Sequence, residues 1–125
     1  MTRKQLFKEL NRICNEMSYN YNINCGGCCF VAACLAENLE KLNIPFKVIH
    51  YNLSGCHYAI KVSDRYINRD EYYSYEIKEI MNCSSDDLYE IYNNNNWNKC
   101  YNKKWNLIVS TRIKSICNKY ANSRA

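Results

Sequence analysis

Leu6, Phe7, Leu10, Ile13, Cys14 and Met17 recur at helical spacing, so Arg3 to Met17 reads as an amphipathic helix with one apolar stripe. The polar run SYNYNIN then breaks the pattern. A second helix is predicted from about Cys28 to Leu42, with Val31, Leu35, Leu39 and Leu42 on one stripe. Ala32, Ala33 and Ala36 let that helix approach a neighbour closely, and Asn43 and Pro45 stop it. From there the period changes. Phe46 to Asn52 (FKVIHYN) is rich in strand formers. His57 to Ser63 alternates Tyr58, Ile60 and Val62 against His57, Ala59 and Lys61, as a half-buried strand does. LSG and SDR supply turns, and YIN returns as a third strand, which makes an antiparallel meander beside the second helix.

After Asp70 the pattern becomes helical again. Ser84 and Ser85 before Asp86 and Asp87 form an N-terminal cap signal ahead of LYEIY. The asparagine run at 93–96 reads as a loop. Trp97 to Tyr120 predicts one long or two shorter helices, with Trp97, Tyr101, Trp105, Ile108, Ile113, Ile116, Cys117 and Tyr120 on the apolar side. Lys99, Lys103, Lys104, Arg112, Lys114 and Lys119 make the other side basic, as a solvated helix face commonly is. No internal repeat and no domain boundary appear. The class expected is α+β in a single domain over 1–125, with a core over about 22–70 and a helical C-terminal extension over about 71–121.

Composition narrows the setting. A chain of 125 residues fits one core, and 3 Gly with 1 Pro leave little for linkers. Heavy use of Asn, Tyr, Ile and Lys, all with A/T-rich codons, points to a virus, a phage or a low-GC bacterium. The N-terminus has no apolar signal core, and no apolar run is long enough to span a bilayer. Cysteine is abundant, but the count of 9 is odd and no export signal accompanies it. A reducing compartment, the cytoplasm or a virion, and mostly free thiols are therefore expected. The net charge of +5 fits nucleic-acid contact without requiring it, so nucleic acid is not the expected partner, and without a long apolar run neither is a membrane.

The candidate chemistry sits in NCGGCCF, Asn24 to Phe30. Cys28 falls in the first turn of the second helix, where unpaired N–H groups and the helix dipole favour a thiolate. Gly26 and Gly27 allow a close approach and leave backbone donors open to a tetrahedral oxyanion. A thiol nucleophile needs a base, and His57 at the start of its strand can supply one. Across the turn centred near Ser63, Asn68 falls roughly opposite His57 and can orient the imidazole, with Asp70 as the reserve.

These residues resemble the papain-like cysteine peptidases. Their nucleophile motif C-G-S-C-W-A-F maps onto Cys25, Gly26, Gly27, Cys28 and Cys29, with Phe30 one place early. The family also sets a polar amide six residues before the nucleophile as an oxyanion donor, which here is Asn22. HYAIKV followed by YIN is similar to the family's later His and Asn strands, mapping onto His57 and Asn68. The short interval from Cys28 to His57 and the Cys at position 29 depart from full-length papains. The better comparison is with compact papain-like folds, including small phage and bacterial peptidases, amidases and transglutaminase-like acyltransferases. The resemblance implies a minimal papain-like fold, with the nucleophile helix packed on a small antiparallel meander and C-terminal helices added. It implies a Cys28–His57–Asn68 triad acting through an acyl-enzyme on a peptide or protein substrate, without a cofactor. Deamidation and acyl transfer use the same parts.

Other readings stand beside this one. Cys29 can replace Cys28 as nucleophile, because a helix start is uncertain by a residue or two. Cys25 and Cys28 have metal-knuckle spacing, and Cys56 with His57 could complete a zinc site in a non-enzymatic adaptor that binds through its basic helices. Adjacent strand residues point to opposite faces, which disfavours that set. A C-x-x-C redox pair lacks its βαβ context. A third possibility is a papain-like fold that has lost activity and only binds. Cys14, Cys34, Cys83, Cys100 and Cys117 read as buried small apolar residues, and His50 as an ordinary strand residue.

Overall fold

The first helix, α1 (Arg3–Tyr21), starts at a capping box. Gln5 N donates to Thr2 Oγ1 at 3.1 Å, and Thr2 N donates to Gln5 Oε1 at 2.8 Å. The computed structural model describes residues 1–52, 56–69, 77–95 and 100–124, with Asn52, Cys56, Ile77 and Lys78 described by backbone alone. The predicted stripe of α1 is buried, but the helix does not end at Met17. It runs on through Ser18 to Tyr21, whose ring packs on Trp105 with centroids 5.3 Å apart. Tertiary packing outweighs the weak helix preference of this polar run. Asn22, in the left-handed region at φ 51°, terminates it.

Helix α2 (Cys28–Lys41) is the central element. Cys28, Cys29 and every residue from Val31 to Ala36 are buried, because sheet and helices pack around it on several sides. Leu42 closes it, and Asn43 at φ 56° turns the chain into β1.

The sheet is antiparallel, with β1 (Lys47–Asn52), β2 (Cys56–Val62), β3 (Arg65–Ile67) and β4 (Ile77–Met81) in the order β3-β2-β1-β4. The first three strands form the expected meander. The fourth overturns the expected helical pattern after Asp70: Val48 pairs with Met81 and His50 with Glu79. A short run such as IKEIM fits either period, and the open edge of β1 decides in favour of strand. Asp70 and the LSG turn lie outside the described residues.

Val48, Tyr58, Ile60, Val62 and Ile67 join the core shared with the helices. Ile49, Tyr51 and Ala59 make a second buried cluster on the opposite face, with Tyr66 against it. From His57 to Ile60, β2 is therefore buried on both faces rather than on one.

Helix α3 (Ser85–Asn94) begins at the predicted cap, where Ser84 and Asp87 exchange hydrogen bonds at 3.0 and 3.1 Å. Asn93 and Asn94 belong to its last turn instead of a loop. A single 3-10 turn, Lys103–Trp105, leads into α4 (Asn106–Ser123). The buried stripe of α4 is Val109, Ile113, Cys117 and Tyr120. Ile108 was expected on it but is 40 % exposed, because the helix phase is set from Asn106. Trp97 and Lys99 lie outside the described residues. Lys103, Lys104, Lys114 and Lys119 face solvent, whereas Arg112 leaves that face and grips Glu16 of α1 at 3.1 and 3.0 Å. The C-terminal part is thus no appendage: α3 and α4 pack on α2, and one core runs from Leu6 to Tyr120.

Among the described residues the architecture is α+β, four helices and a four-stranded antiparallel sheet with the last two helices C-terminal. Among the described residues no helix is long and apolar enough to cross a membrane. Among the described residues, Cys14, Cys34, Cys83, Cys100 and Cys117 are free thiols. Burial pushes Cys14 and Cys34 up to about 12 and Cys117 up to about 11. Contrary to expectation, Cys83 is half-buried and Cys100 exposed. Cys83 packs against the margin of the core.

Candidate active site

The path from α1 to α2 is short and fully specified. Cys25 N donates to Asn22 O at 2.9 Å, closing a turn, and Gly26 takes φ 101°, where a side chain would be strained. Gly27 is the N-cap of α2, and its carbonyl accepts from Val31 N at 3.0 Å. A Cβ at Gly27 would lie 2.8 Å from Ile23 O and 2.8 Å from the Tyr101 ring. The second glycine is therefore required by close packing. The expected role of leaving backbone open to a substrate is not what this position does here, since the ring of Tyr101 covers it. That ring is fixed in turn: the Tyr101 hydroxyl donates to Asn106 Oδ1, and Asn106 Nδ2 donates to Tyr92 Oη at 3.4 Å. Burial pushes the Tyr101 hydroxyl up, which keeps it a neutral donor.

Cys28 and Cys29 open α2 and diverge. Cys29 is fully buried, and its Sγ–H donates to Leu88 O of α3 at 3.3 Å. It points into the helical core. Cys28 is 3 % exposed and stands in the first turn, where the helix N–H groups converge.

His57 and Asn68 meet as the spacing predicts, but by different atoms. His57 Nε2 lies 2.7 Å from the main-chain carbonyl of Asn68. A carbonyl only accepts, so Nε2 carries the proton and, in the neutral ring, Nδ1 carries the lone pair. Both residues are buried, His57 at 3 % and Asn68 at 1 % exposure. Asn68 sits at φ 62°, a conformation in which Asn is tolerated better than most residues. Its side chain, expected to hold the imidazole, is engaged elsewhere. Asn68 Nδ2 donates to Asn24 Oδ1 at 2.9 Å, and Asn24 Nδ2 donates to Asn68 Oδ1 at 3.1 Å. Asn24 Nδ2 also reaches Ser18 Oγ at 3.2 Å, and Asn68 N donates to Asn11 Oδ1 at 3.0 Å. Asn11 and Ser18 lie two turns apart on one face of α1, Asn11 meeting Asn68 just after β3 and Ser18 meeting Asn24.

A hydrogen-bonded path leads from His57 through Asn68 to Asn24, four residues before Cys28. It is Tyr58 that turns into the core with α2, while His57 turns with Tyr51, ring centroids 5.9 Å apart.

The second histidine is less ordinary than its strand setting suggested. His50 is 7 % exposed and stacks on Tyr58 at 4.6 Å, with rings 3° from parallel. Its Nδ1 lies 3.3 Å from Glu79 Oε1, and its Nε2 is sealed from solvent with no hydrogen-bond partner among the described residues. Asn22, expected as an oxyanion donor, is exposed and serves as the left-handed end of α1. Asp70 lies outside the described residues. Among the described residues no three His, Cys, Asp or Glu side chains are grouped to hold a metal, and the Cys56 side chain of the zinc alternative with Cys25, Cys28 and His57 lies outside them.

Sequence reasoning missed Asn24 and Asn11. In a chain this rich in asparagine neither stands out, and the position of Asn24 inside NCGGC was the one available hint. Comparison with models of protein families, with curated proteins and with solved structures finds no match to this chain.

Proposed function

We propose that the chain is a thiol hydrolase of the compact papain-like kind, cleaving an amide in a peptide or protein. One observation carries the reading: His57 Nε2 is held at 2.7 Å by the Asn68 carbonyl, which assigns the ring proton to Nε2 and the basic lone pair to Nδ1. An imidazole in this tautomer can take the proton of a thiol. Cys28 rather than Cys29 is the nucleophile, because Cys29 is committed to Leu88 O in the helical core.

In this scheme the Cys28 thiol gives its proton to His57 Nδ1, and the thiolate attacks the amide carbon. The tetrahedral oxyanion is met by N–H groups of the first turn of α2. The C–N bond breaks, and the leaving amine takes the proton from His57. Water, deprotonated by His57, then attacks the thioester and releases the acid and the thiol. An amine in place of water gives acyl transfer with the same parts.

The test uses p-nitrophenyl acetate as a minimal acyl donor with intact-mass and peptide mapping. Accumulation of an acetyl group on Cys28, lost in Cys28→Ser and slowed in His57→Ala, is expected. Acetylation spread over the exposed Cys100 with none on Cys28 overturns the reading. A peptide library and a fluorescent amine then separate hydrolysis from transfer.

A further inference from the structure

We infer that Asn24 is a positioning residue for the His57 base, acting through Asn68; the inference rests on the reading of Cys28 and His57 as nucleophile and base. Four observations converge on it. His57 Nε2 meets the main-chain carbonyl of Asn68 at 2.7 Å, so the placement of the Asn68 backbone bears directly on the orientation of the ring. That residue is in the left-handed region at φ 62°, which a short β3 of three residues does not enforce by itself. The amide of Asn68 is locked by a reciprocal pair of hydrogen bonds with Asn24, at 2.9 and 3.1 Å. Asn24 is itself anchored to Ser18 of α1 at 3.2 Å and is joined to Cys28 by a turn with two glycines.

The reciprocal amide pair matters because it fixes distance and plane together, as two parallel hydrogen bonds do and a single one does not. Asn11 adds a hold on the Asn68 N–H at 3.0 Å. The loop that delivers the thiol therefore also sets the carbonyl that orients the imidazole. Movement of the 22–27 segment would shift both partners of the proton transfer in one step. Small displacements of this kind cost catalysis far more than stability.

The test is the pH–rate profile of Cys28 alkylation by iodoacetamide in the full chain, with nitrogen-15 spectra of the His57 ring on the same samples. Wild type, Asn24→Ala, Asn24→Asp and His57→Ala are compared. Asp at 24 still accepts from Asn68 Nδ2 but cannot donate back. The expected result is that Asn24→Ala labels about tenfold more slowly near pH 6, that its ring loses the single Nε2–H tautomer, and that Asn24→Asp recovers part of both. Wild-type profile and tautomer in Asn24→Ala overturn the inference. So does equal slowing in both Asn24 variants with the ring unchanged, which marks a merely structural role. If Asn24→Ala does not fold, Asn24→Asp decides alone: a wild-type profile overturns the inference and an intermediate one supports it. Wild type indistinguishable from His57→Ala removes the proposed function, and the ring tautomer in Asn24→Ala then still reports whether Asn24 positions His57.

Discussion

His57 Nε2 and the main-chain oxygen of Asn68 are 2.7 Å apart, while the Asn68 side chain faces away toward Asn24. The residue that orients the imidazole does so by its backbone conformation. Asn68→Gly keeps the left-handed region and hence the carbonyl, losing only the amide pair. Asn68→Ala loses the pair and adds left-handed strain of about 1–2 kcal/mol. Urea denaturation should find the Ala variant less stable than the Gly variant by roughly 1 kcal/mol. Equal stabilities would mean that the backbone at 68 relaxes and does not hold His57.

Gly27 makes a second sharp prediction. The Ile23 carbonyl and the Tyr101 ring occupy the space of its missing Cβ. Gly27→Ala should cost about 1–3 kcal/mol by overpacking. Measured in a Tyr101→Ala background the cost should fall without vanishing, because the Ile23 carbonyl remains. An unchanged cost in that background would show that the ring yields freely and that the backbone clash alone matters.

His50 competes with His57 for the role of base, since Glu79 lies at its Nδ1 and its Nε2 is buried. His50→Phe keeps a ring stacked on Tyr58 and removes a buried polar atom that lacks a partner among the described residues. Thermal stability should be unchanged or higher, and low-pH labelling of Cys28 should be retained. Loss of labelling in His50→Phe, with labelling kept in His57→Ala, would transfer the role to His50 and Glu79.

The buried thiols give a pH dependence with a definite sign. Cys14 and Cys34 are raised to about 12 and Cys117 to about 11 by burial, whereas an unfolded thiol titrates near 8.5. The native state binds these protons more tightly than the unfolded state does. Their contribution is therefore fully present below about pH 8.5 and is lost as pH rises toward 11 to 12. Melting temperature should fall steadily above about pH 9, and native-state alkylation at pH 8 should spare Cys14, Cys34 and Cys117. A Cys34→Ala variant with an unaltered alkaline slope would contradict its share.

Much of the fold was legible because its long elements carry redundant signals. The stripe of α1, the alanines of α2 and the Ser84–Asp87 cap all state their element locally. What failed did so where context outranks pattern. IKEIM becomes β4 because β1 has an open edge, and SYNY stays helical because Tyr21 finds Trp105. The same limit applies to the site. Spacing across the β2–β3 turn brought His57 and Asn68 together, but which atoms of Asn68 would serve depended on a left-handed φ that spacing does not encode. Asn22 was chosen by motif position, yet the C-terminal end of α1 claims it. Asn24 emerges only when α1 and β3 are seen to converge on it.

The most direct test of the central claim is peptide-mapped labelling by limiting iodoacetamide near pH 6, where an ordinary thiol is almost fully protonated. Wild type and His57→Ala are compared, with bound zinc assayed on the same samples. If Cys28 labels ahead of the exposed Cys100, and His57→Ala erases that lead, the thiolate–imidazole pair operates. If Cys28 labels no faster than Cys100, or if a bound zinc protects it, the hydrolase reading is wrong and the chain is a binding module.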